Sequence, residues 1–445
     1  MKVDRIEIKN YKGFENCNIN FHPKMNVFIG NNASGKTTIL NAISKSATSI
    51  VPRVISRSSV SISNDDINYK ALFAYIIGHI SHFTEEDINF QTFTHAGIVT
   101  EDAKLISAKI SKDISTVASN FKKKIQVSPI TIPIIKFYSA NRGSFSYSYS
   151  EGIIDVYDIS QLETWSNIMQ SSLSYGKFSH WFYQNETDEL RLQRDYKDFN
   201  AQSPALRDVR KALALAFKEL GYGDYSLVSK QIKRAGNSKL TPALFLKNNK
   251  TLKEENLDKK SDGEKAIITL ISDIAYNLSI AKDFTSDDDF LKSSGIVIID
   301  EIETHLHPKW QREILPILSK LFPNIQFFIA THSPQIVASV PSECVFVCDN
   351  FKTEKVHLKT LGEDTNSILV EIFNATDRPK SYIKLIQQFD NLIDNDGDNV
   401  PKLEKIIIEI KKMYEKDTGS GISDLIDELN IRLSSYKFDK EYEED

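Results

Sequence analysis

The stretch GNNASGKT, Gly30 to Thr37, decides the fold class of this chain. It fits the pattern GxxxxGK[ST] at every fixed position, follows the apolar run Val27 to Ile29, and precedes a helix-like segment, Thr37 to Lys45. In such a loop, glycines let successive backbone N–H groups converge on phosphate oxygens. The following helix points the positive end of its dipole at the same anion. The stretch therefore predicts a phosphate-binding loop between a strand and a helix.

The side chains of this loop suggest a nucleotide and a metal ion as ligands. We expect Lys36 to reach the β- and γ-phosphates and Thr37 to ligate Mg²⁺. The residues expected to bind the nucleotide form one continuous run: Gly30, Asn31, Asn32, Ala33, Ser34, Gly35, Lys36, Thr37 and Thr38.

A second motif, GIVIIDE from Gly295 to Glu301, places two carboxylates at the end of an apolar strand. Its four consecutive apolar residues indicate a strand that is buried on both faces. Asp300 would hold Mg²⁺ through water, and Glu301 would act as general base or polariser for an attacking water. The alternative, two acids that only cap a strand end, is disfavoured because the same chain carries the glycine-rich loop.

Two further motifs are weak when each is taken alone. SDGEK, Ser261 to Lys265, precedes an amphipathic segment, but an Asp-Gly turn beside a helix start is common. ATHS places His332 at the end of a strand-like run, where a single histidine is more often structural. His305 and His307 form an H-x-H pair that lacks a third ligand, which makes a poor metal site. The order and spacing of all the motifs together are specific.

The set GNNASGKT, SDGEK, IIDEIETHLHP and ATHS resembles, in its order along the chain, the ATP-binding-cassette (ABC) head of RecF- and SMC-type ATPases. The resemblance implies an α/β fold, a P-loop NTPase of the ABC/SMC-head type with a mixed sheet and helices on both sides. It also implies ATP and Mg²⁺ as ligands, with Glu301 and His332 as catalytic residues.

In such heads the signature motif completes the nucleotide site of a second subunit. The resemblance implies that two ATP molecules are sandwiched between the chains of a homodimer or a higher oligomer. The signature of one chain would then cap the γ-phosphate bound by another chain, and its residues are Ser261, Asp262, Gly263 and Glu264. His332 would hydrogen-bond the γ-phosphate, and the loop that carries His305 would contact the partner.

This sequence departs from the family pattern at one place. ABC ATPases usually carry a magnesium-sensing glutamine after a strand in the first half. The equivalent stretch here, YSANRG after TIPIIKF, has no glutamine. Asn141 or Arg142 is the candidate to replace it.

The chain does not look like an SMC arm protein or a nuclease. Too few residues separate the glycine-rich loop from the signature for a long coiled coil. Asp394, Asp396 and Asp398 lie between two helical stretches, which favours a solvated loop over a metal site. We find no HNH-type histidine cluster.

The region after the head has a resemblance of its own. TLGEDTNSILVEIFNATDRP, residues 360–379, followed by a helical pair, resembles the equivalent region of PtuA-type ATPases. Those proteins belong to the Septu antiphage system and to related retron-associated defence operons. The resemblance implies that this ATPase works with a separately encoded HNH nuclease, PtuB, and that its nucleotide state governs that nuclease.

The motifs also predict the domain organisation. We expect an ATPase head over residues 1–355 and a helical C-terminal region over 356–445, a candidate docking region for the partner. The head would begin with an N-lobe at residues 1–140, which contains an insertion within 45–125. A mainly helical part at 141–255 and a lobe with the signature at 256–355 would follow. Local expectations are a β-meander at 1–29, a loop with one edge strand at 46–64, and helices at 65–83, 101–124, 160–170 and 205–220. Gly221 and Gly223 are expected to end the last of these helices.

The totals limit the class of protein. Three cysteines, the absence of a long apolar run and a charged N-terminal strand pattern favour a cytoplasmic protein with no membrane contact. A net charge of −5 argues against a wholly basic nucleic-acid coat protein, although basic groups such as Lys122 to Lys124 leave nucleic-acid contact open.

Two other functions stay open on sequence alone. One is a DNA-repair ATPase of the RecF type, and the other is an ATP-dependent assembly scaffold with little turnover. A neighbouring HNH gene would favour the defence function, whereas neighbouring replication genes would favour repair. Measured turnover separates the scaffold from both.

Overall fold

The computed structural model describes all residues except 56–60, 84–87, 99, 128–129, 141–163, 166–174, 234–239, 283–289, 374–379, 395–398, 415–419 and 444–445. The chain forms two compact units, residues 1–368 and residues 369–445. Of the helices in the described parts, none combines the length and the apolar character needed to cross a bilayer.

The described strands are β1 (Lys2–Tyr11), β2 (Phe14–Asn20), β3 (Met25–Ile29), β4 (Phe73–Ser81), β5 (Phe90–Gly97), β6 (Ile134–Tyr138), β7 (Tyr225–Lys233), β8 (Leu240–Asn248), β9 (Glu254–Asn256), β10 (Gly295–Ile299), β11 (Ile325–Ala330), β12 (Val345–Asp349) and β13 (Lys352–Lys355).

The described α-helices are α1 (Lys36–Thr48), α2 (Val51–Ile55), α3 (Glu101–Val127), α4 (Tyr175–Tyr196), α5 (Pro204–Glu219), α6 (Asp262–Ala281), α7 (Pro308–Leu321), α8 (Pro334–Val337), α9 (Thr365–Glu371), α10 (Lys380–Asp394), α11 (Val400–Tyr414) and α12 (Ser420–Glu443).

A six-stranded sheet at the centre of the first unit has the order β13-β12-β3-β11-β10-β6. All neighbouring pairs are parallel except β12 with β13, which makes the sheet mixed. Every residue of β3, β10 and β11 is buried, as expected for strands covered on both faces. Because these strands are parallel, the loops that follow them meet at one edge of the sheet.

An antiparallel sheet of order β2-β1-β4-β5 covers one side of α1. The helix contacts strands of both sheets, including β4 and β11. Its approach to β4 is close, because a Cβ at Gly78 would lie 1.5 Å from Ser46 Oγ. The Ser46 hydroxyl also forms a buried hydrogen bond of 2.7 Å with Thr92 of β5. The helix that follows the glycine-rich loop is thus enclosed between two sheets.

A third group of elements surrounds the signature. Strands β7, β8 and β9 form an antiparallel three-stranded sheet, and α5 packs along α6. Gly221 and Gly223 end α5 with positive φ values of 81° and 91°, so the predicted glycine stop is confirmed.

Three local expectations are wrong. Strand β3 is not part of a meander with β1 and β2, because it is buried along its whole length and pairs with β11 and β12 inside the parallel sheet. Residues 46–48 form the end of α1 and residues 51–55 form the short helix α2, instead of a loop with an edge strand. The run at 73–81 is strand β4, since its β-branched and aromatic residues pair with β1, a partner distant in sequence.

Other expectations are confirmed. The helices expected at 101–124 and 205–220 are α3 and α5, and the mixed α/β class with a helical C-terminal region holds. Most of the helix expected at 160–170 lies outside the described residues. The domain bounds at 140, 255 and 355 stay predictions.

The second unit has its own apolar core, formed by α10, α11 and α12. Its buried members are Leu385, Phe389, Leu403, Ile406, Ile407, Ile410, Leu425, Ile426, Leu429, Leu433 and Tyr436. The apolar stripes of these helices therefore pack mainly on one another. Ile408 faces solvent with an exposed fraction of 51%.

We predict that Phe389→Ala destabilises this three-helix core by about 3–5 kcal/mol, because a fully buried ring leaves a cavity. The Arg432 guanidinium also loses its contact with the ring, now 5.6 Å from the ring centroid. Limited proteolysis of the full chain should show faster cleavage within 369–445 and unchanged resistance within 1–368. Ile408→Ala is the matched control. Equal sensitivity of the two variants would contradict the assignment of this core.

Candidate nucleotide-binding site

The glycine-rich loop joins β3 to α1 and has a backbone that only glycine accommodates at two points. Gly30 has a φ of 143°, and a Cβ there would lie 2.1 Å from the carbonyl oxygen of Cys348. Gly35 caps α1 with a φ of 108°, and a Cβ there would lie 2.8 Å from Phe14 Cζ. The loop is therefore held against β12 and the start of β2, and its glycines are needed for packing as well as for phosphate approach.

Phe351 braces the loop from behind. Its backbone N–H donates to the Ser34 carbonyl over 3.2 Å, and its ring meets Phe14 edge to face at 5.4 Å. This brace comes from the turn between β12 and β13, and no motif in the sequence indicated it. A long-range ring pair of this kind has no local signature.

Lys36 lies buried at the first turn of α1. Its Nζ donates to the carbonyl oxygens of Gly30 and Asn31 over 2.8 and 2.9 Å. Burial lowers the pKa of Lys36, and the nearby Cys348 and the acidic group Asp300 partly oppose that shift. The ammonium is thus held over the loop by carbonyl groups, in the place where a phosphate would be bound.

Thr37 and Asp300 bring together the oxygen ligands that Mg²⁺ prefers. The Thr37 hydroxyl donates to Asp300 Oδ2 over 2.9 Å, and the Asp300 backbone N–H donates to the Tyr138 carbonyl over 2.8 Å. Asp300 is buried at the end of β10. A hydroxyl beside a carboxylate fits a magnesium site completed by phosphate oxygens and water.

Glu301 and His332 lie at the same edge of the sheet. Glu301 has a positive φ of 49°, a conformation that costs energy for a residue with a side chain and is often found at functional sites. Burial lowers the pKa of His332, and the positive charge of Lys36 lowers it further. The imidazole is therefore neutral at neutral pH, with one N–H that can donate to a phosphate oxygen.

Glu303 is a site residue that motif comparison missed. Its Oε1 accepts the backbone N–H of His332 over 2.5 Å, so this carboxylate sets the position of the chain after β11. It also lies close enough to Lys36 to raise the pKa of that lysine. Its only sequence signal is its place two residues after Glu301.

The signature residues form a capped helix start apart from the glycine-rich loop. Ser261 is the N-cap of α6 and forms a reciprocal capping box with Glu264. Gly263 lies against the loop after β10, because a Cβ there would be 2.4 Å from the His305 carbonyl. Within the described residues, no hydrogen bond joins 261–264 to 30–38. The structure thus brings Lys36, Thr37, Asp300, Glu301 and His332 together and keeps the signature separate. Asn141 and Arg142 lie outside the described residues.

One further cluster contains potential metal ligands. Ligand atoms of His22, Glu343 and Cys344 all lie within 4.8 Å of one another. However, His22 Nδ1 accepts the backbone N–H groups of Lys24 and Met25, each over 3.3 Å, so the neutral ring carries its proton on Nε2, which faces Glu343 at 3.7 Å. Burial raises the pKa of the Cys344 thiol to about 11. In this structure the cluster forms a histidine–carboxylate contact beside a protonated thiol.

Comparison with known families gives two matches. A family model described as "AAA domain, putative AbiEii toxin, Type IV TA system" matches residues 140–338. A model described as "AAA ATPase domain" matches residues 1–91. The two matched regions contain the loop, the signature, Asp300, Glu301 and His332.

Individual relatives extend this result. The "Retron Ec83 probable ATPase" of Escherichia coli is 26% identical over 500 residues, covering 100% of this chain and 89% of that protein. The "Septu protein PtuA" of Bacillus mycoides (strain KBAB4) is 31% identical over 166 residues, covering 36% of this chain and 22% of that protein. The predicted resemblance to PtuA-type and retron ATPases is thereby confirmed.

Among solved structures, an SMC head bound to the C-winged helix domain of ScpA aligns with 81% of this chain and 98% of that chain. The sequence identity is 13% and the TM-score is 0.40. This chain has the predicted α/β architecture, with a mixed six-stranded sheet, the GxxxxGK[ST] loop between β3 and α1, and a helical C-terminal region.

We predict that Gly30→Ala lowers affinity for ATP by about tenfold or more, because the added methyl group would collide with the Cys348 carbonyl and displace the loop. Gly223→Ala is the matched control, since that glycine also has a positive φ but meets nothing within 4 Å. The control should lose only about 1–2 kcal/mol of stability. Calorimetric titration with ATP and thermal unfolding measure the two effects. Equal ATP affinity of the two variants would contradict the packing of the loop.

Proposed function

Because homologues of this chain include a retron ATPase and the Septu protein PtuA, we propose that it binds and hydrolyses ATP as a subunit of a bacterial antiphage defence complex. The observation that carries the proposal is the convergence of the Lys36 ammonium, the Thr37–Asp300 pair and Glu301 at one edge of the sheet. This set supplies the cation, the metal ligands and the base that phosphoryl transfer to water requires.

Each side chain has a distinct role in the proposed reaction. Lys36 would bind the β- and γ-phosphates. Thr37, together with Asp300 through water, would hold Mg²⁺, which would neutralise phosphate charge. Glu301 orients the attacking water and accepts its proton. His332, neutral because of burial and Lys36, donates a hydrogen bond to the γ-phosphate, and Glu303 fixes the backbone that carries it.

The site is proposed to be shared between two copies of the chain. Ser261 is exposed at the start of α6, and its turn makes no hydrogen bond to the glycine-rich loop within the described residues. The exposed start of a helix, where the positive end of its dipole lies, suits a phosphate presented by another molecule. Two ATP molecules would then lie between two chains, each bound by one loop and one signature.

The proposed complex includes a separately encoded HNH nuclease of the PtuB kind. This part rests on the relatives and on the resemblance of residues 360–379, and it assigns partner docking to the C-terminal region, 356–445. The ATP-bound pair would then control the nuclease in the cytoplasm, and contact with nucleic acid would come through the complex. Nuclease activity measured with and without ATP in the co-purified complex tests this control.

We predict that Glu301→Gln reduces phosphate release by about a hundredfold or more and traps ATP-bound pairs, because the amide cannot accept the proton of water. Single-turnover hydrolysis and mass measurement of the chain with ATP test both effects. Glu313→Gln, on the exposed face of α7, is the control and should behave as wild type. Wild-type turnover in Glu301→Gln would remove Glu301 from the mechanism.

We predict that Lys36→Ala and Ser261→Arg each prevent ATP-dependent pairing, whereas an equal mixture of the two restores it. Lys36→Ala removes the phosphate cation but leaves the signature, and Ser261→Arg blocks the signature but leaves the loop. In the mixed pair, the loop of one variant faces the signature of the other, which leaves one site whole. Mass measurement of differently tagged variants with ATP detects the mixed pair. A mixture as monomeric as its two components would contradict the shared site.

A further inference from the structure

The hydroxyl of the signature serine is engaged within its own chain. Ser261 Oγ donates to Glu264 Oε2 over 3.0 Å, and the Ser261 backbone N–H donates to the same oxygen over 3.0 Å. In return, the Glu264 backbone N–H donates to Ser261 Oγ over 3.3 Å. A hydroxyl has one proton to give, so Ser261 must leave the Glu264 carboxylate before it can donate to a phosphate.

Tyr222 holds the other oxygen of this carboxylate. Its hydroxyl donates to Glu264 Oε1 in a short hydrogen bond. The tyrosine lies in the turn after α5, where its backbone N–H donates to the Phe217 carbonyl over 2.9 Å and its ring meets the Phe217 ring at 5.8 Å. Its position is therefore set by α5 and not by the signature helix.

The hydrogen bonds keep Glu264 ionised. Burial would raise the pKa of Glu264, but the bonds from Tyr222 and Ser261 outweigh burial and lower it. Burial and the bond to Glu264 raise the pKa of Tyr222, so the phenol keeps its proton. The result is a fixed anion with donors on both oxygens.

Other charged groups surround this anion. Lys260 Nζ lies 3.8 Å from Glu264 Oε1 and 2.7 Å from Glu255 Oε2. The positive charge of Lys260 is therefore paired more closely with Glu255 of β9 than with Glu264. Within the turn, Lys265 Nζ lies 3.1 Å from Asp262 Oδ1. Tyr225 also faces this group, with its ring 6.0 Å from that of Tyr222. Tyr222 is thus the neutral donor that compensates Glu264 on the side away from Ser261.

We propose that Tyr222 is a positioning residue for the signature, which anchors the Glu264 carboxylate so that Ser261 can pass its hydrogen bond to the γ-phosphate of a second chain. This inference rests on the proposed ATP sandwich. Because several donors share the Glu264 carboxylate, Ser261 can turn its hydroxyl from Glu264 to the phosphate oxygen while the other donors stay in place. Without Tyr222, the ionised Glu264 carboxylate is no longer anchored to the turn after α5, and the signature turn that it caps is positioned less precisely.

Tyr222→Phe tests the role directly, because it keeps the ring against Phe217 and removes only the donor. We expect ATP affinity of the single chain to stay unchanged and ATP-dependent pairing to weaken by about tenfold. Tyr225→Phe is the matched control, since it removes the hydroxyl of the neighbouring ring, and it should pair as wild type.

The pH dependence of pairing separates positioning from mere packing. Pairing that needs ionised Glu264 is present above the pKa of that group and is lost as the pH falls through it. Loss of the Tyr222 bond raises this pKa, so Tyr222→Phe should lose pairing at a higher pH than wild type. In Tyr222→Phe/Glu264→Gln the group cannot titrate, and this acid-side shift should disappear.

Each outcome bears on one of the two claims. Pairing and acid dependence in Tyr222→Phe that equal those of wild type, while Ser261→Arg does not pair, would overturn the role of Tyr222 alone. If wild type itself does not pair with ATP, the sandwich is wrong and the inference is lost with it. The proposal is supported if Tyr222→Phe loses pairing at a higher pH than wild type and Glu264→Gln removes that difference.

Discussion

The hydrogen bond from Thr37 Oγ1 to Asp300 Oδ2 joins two segments separated by most of the head, and the candidate site depends on it. It exists because β3 and β10 run parallel, on either side of β11, so that the residues after them reach the same edge. The same parallel order brings Glu301 and His332 to that edge. In an antiparallel arrangement these side chains would lie at opposite ends of the sheet.

Short motifs with a mechanism could be predicted from sequence, whereas long-range partners could not. Gly30 to Thr37 and Gly295 to Glu301 carry their chemistry in consecutive residues, so the loop, the strand and the acids were placed correctly. The sequence does not predict that β3 lies in a different sheet from β1 and β2. All three segments have the pattern of short strands, and only burial on both faces distinguishes β3. The sequence of β4 predicts a helix, whereas the structure has a strand, since its pairing with β1 is not encoded locally.

The unpredicted residues act on those that the motifs identified. Glu303 holds the backbone of His332, Phe351 holds Ser34, and Tyr222 holds Glu264. Each comes from a different element than the residue it supports, as is usual for groups that orient a functional side chain. Motifs therefore identify the reacting groups, and the fold supplies their supports. The C-terminal helices are a further example. Their apolar stripes can be seen in the sequence, but only the structure shows that α10, α11 and α12 bury these stripes against one another.

The enclosure of α1 between two sheets has a consequence for local opening of the molecule. Ser46 is bonded to β5 on one side, Gly78 of β4 admits no side chain between strand and helix, and β11 lies against the other side. The buried face of such a helix cannot fray outward as a surface helix does, because solvent reaches that face only after one sheet has separated. Amide hydrogens on the buried face of α1 should thus exchange with water only when the two sheets separate. Lys36, in the first turn of α1, is held in place by both sheets.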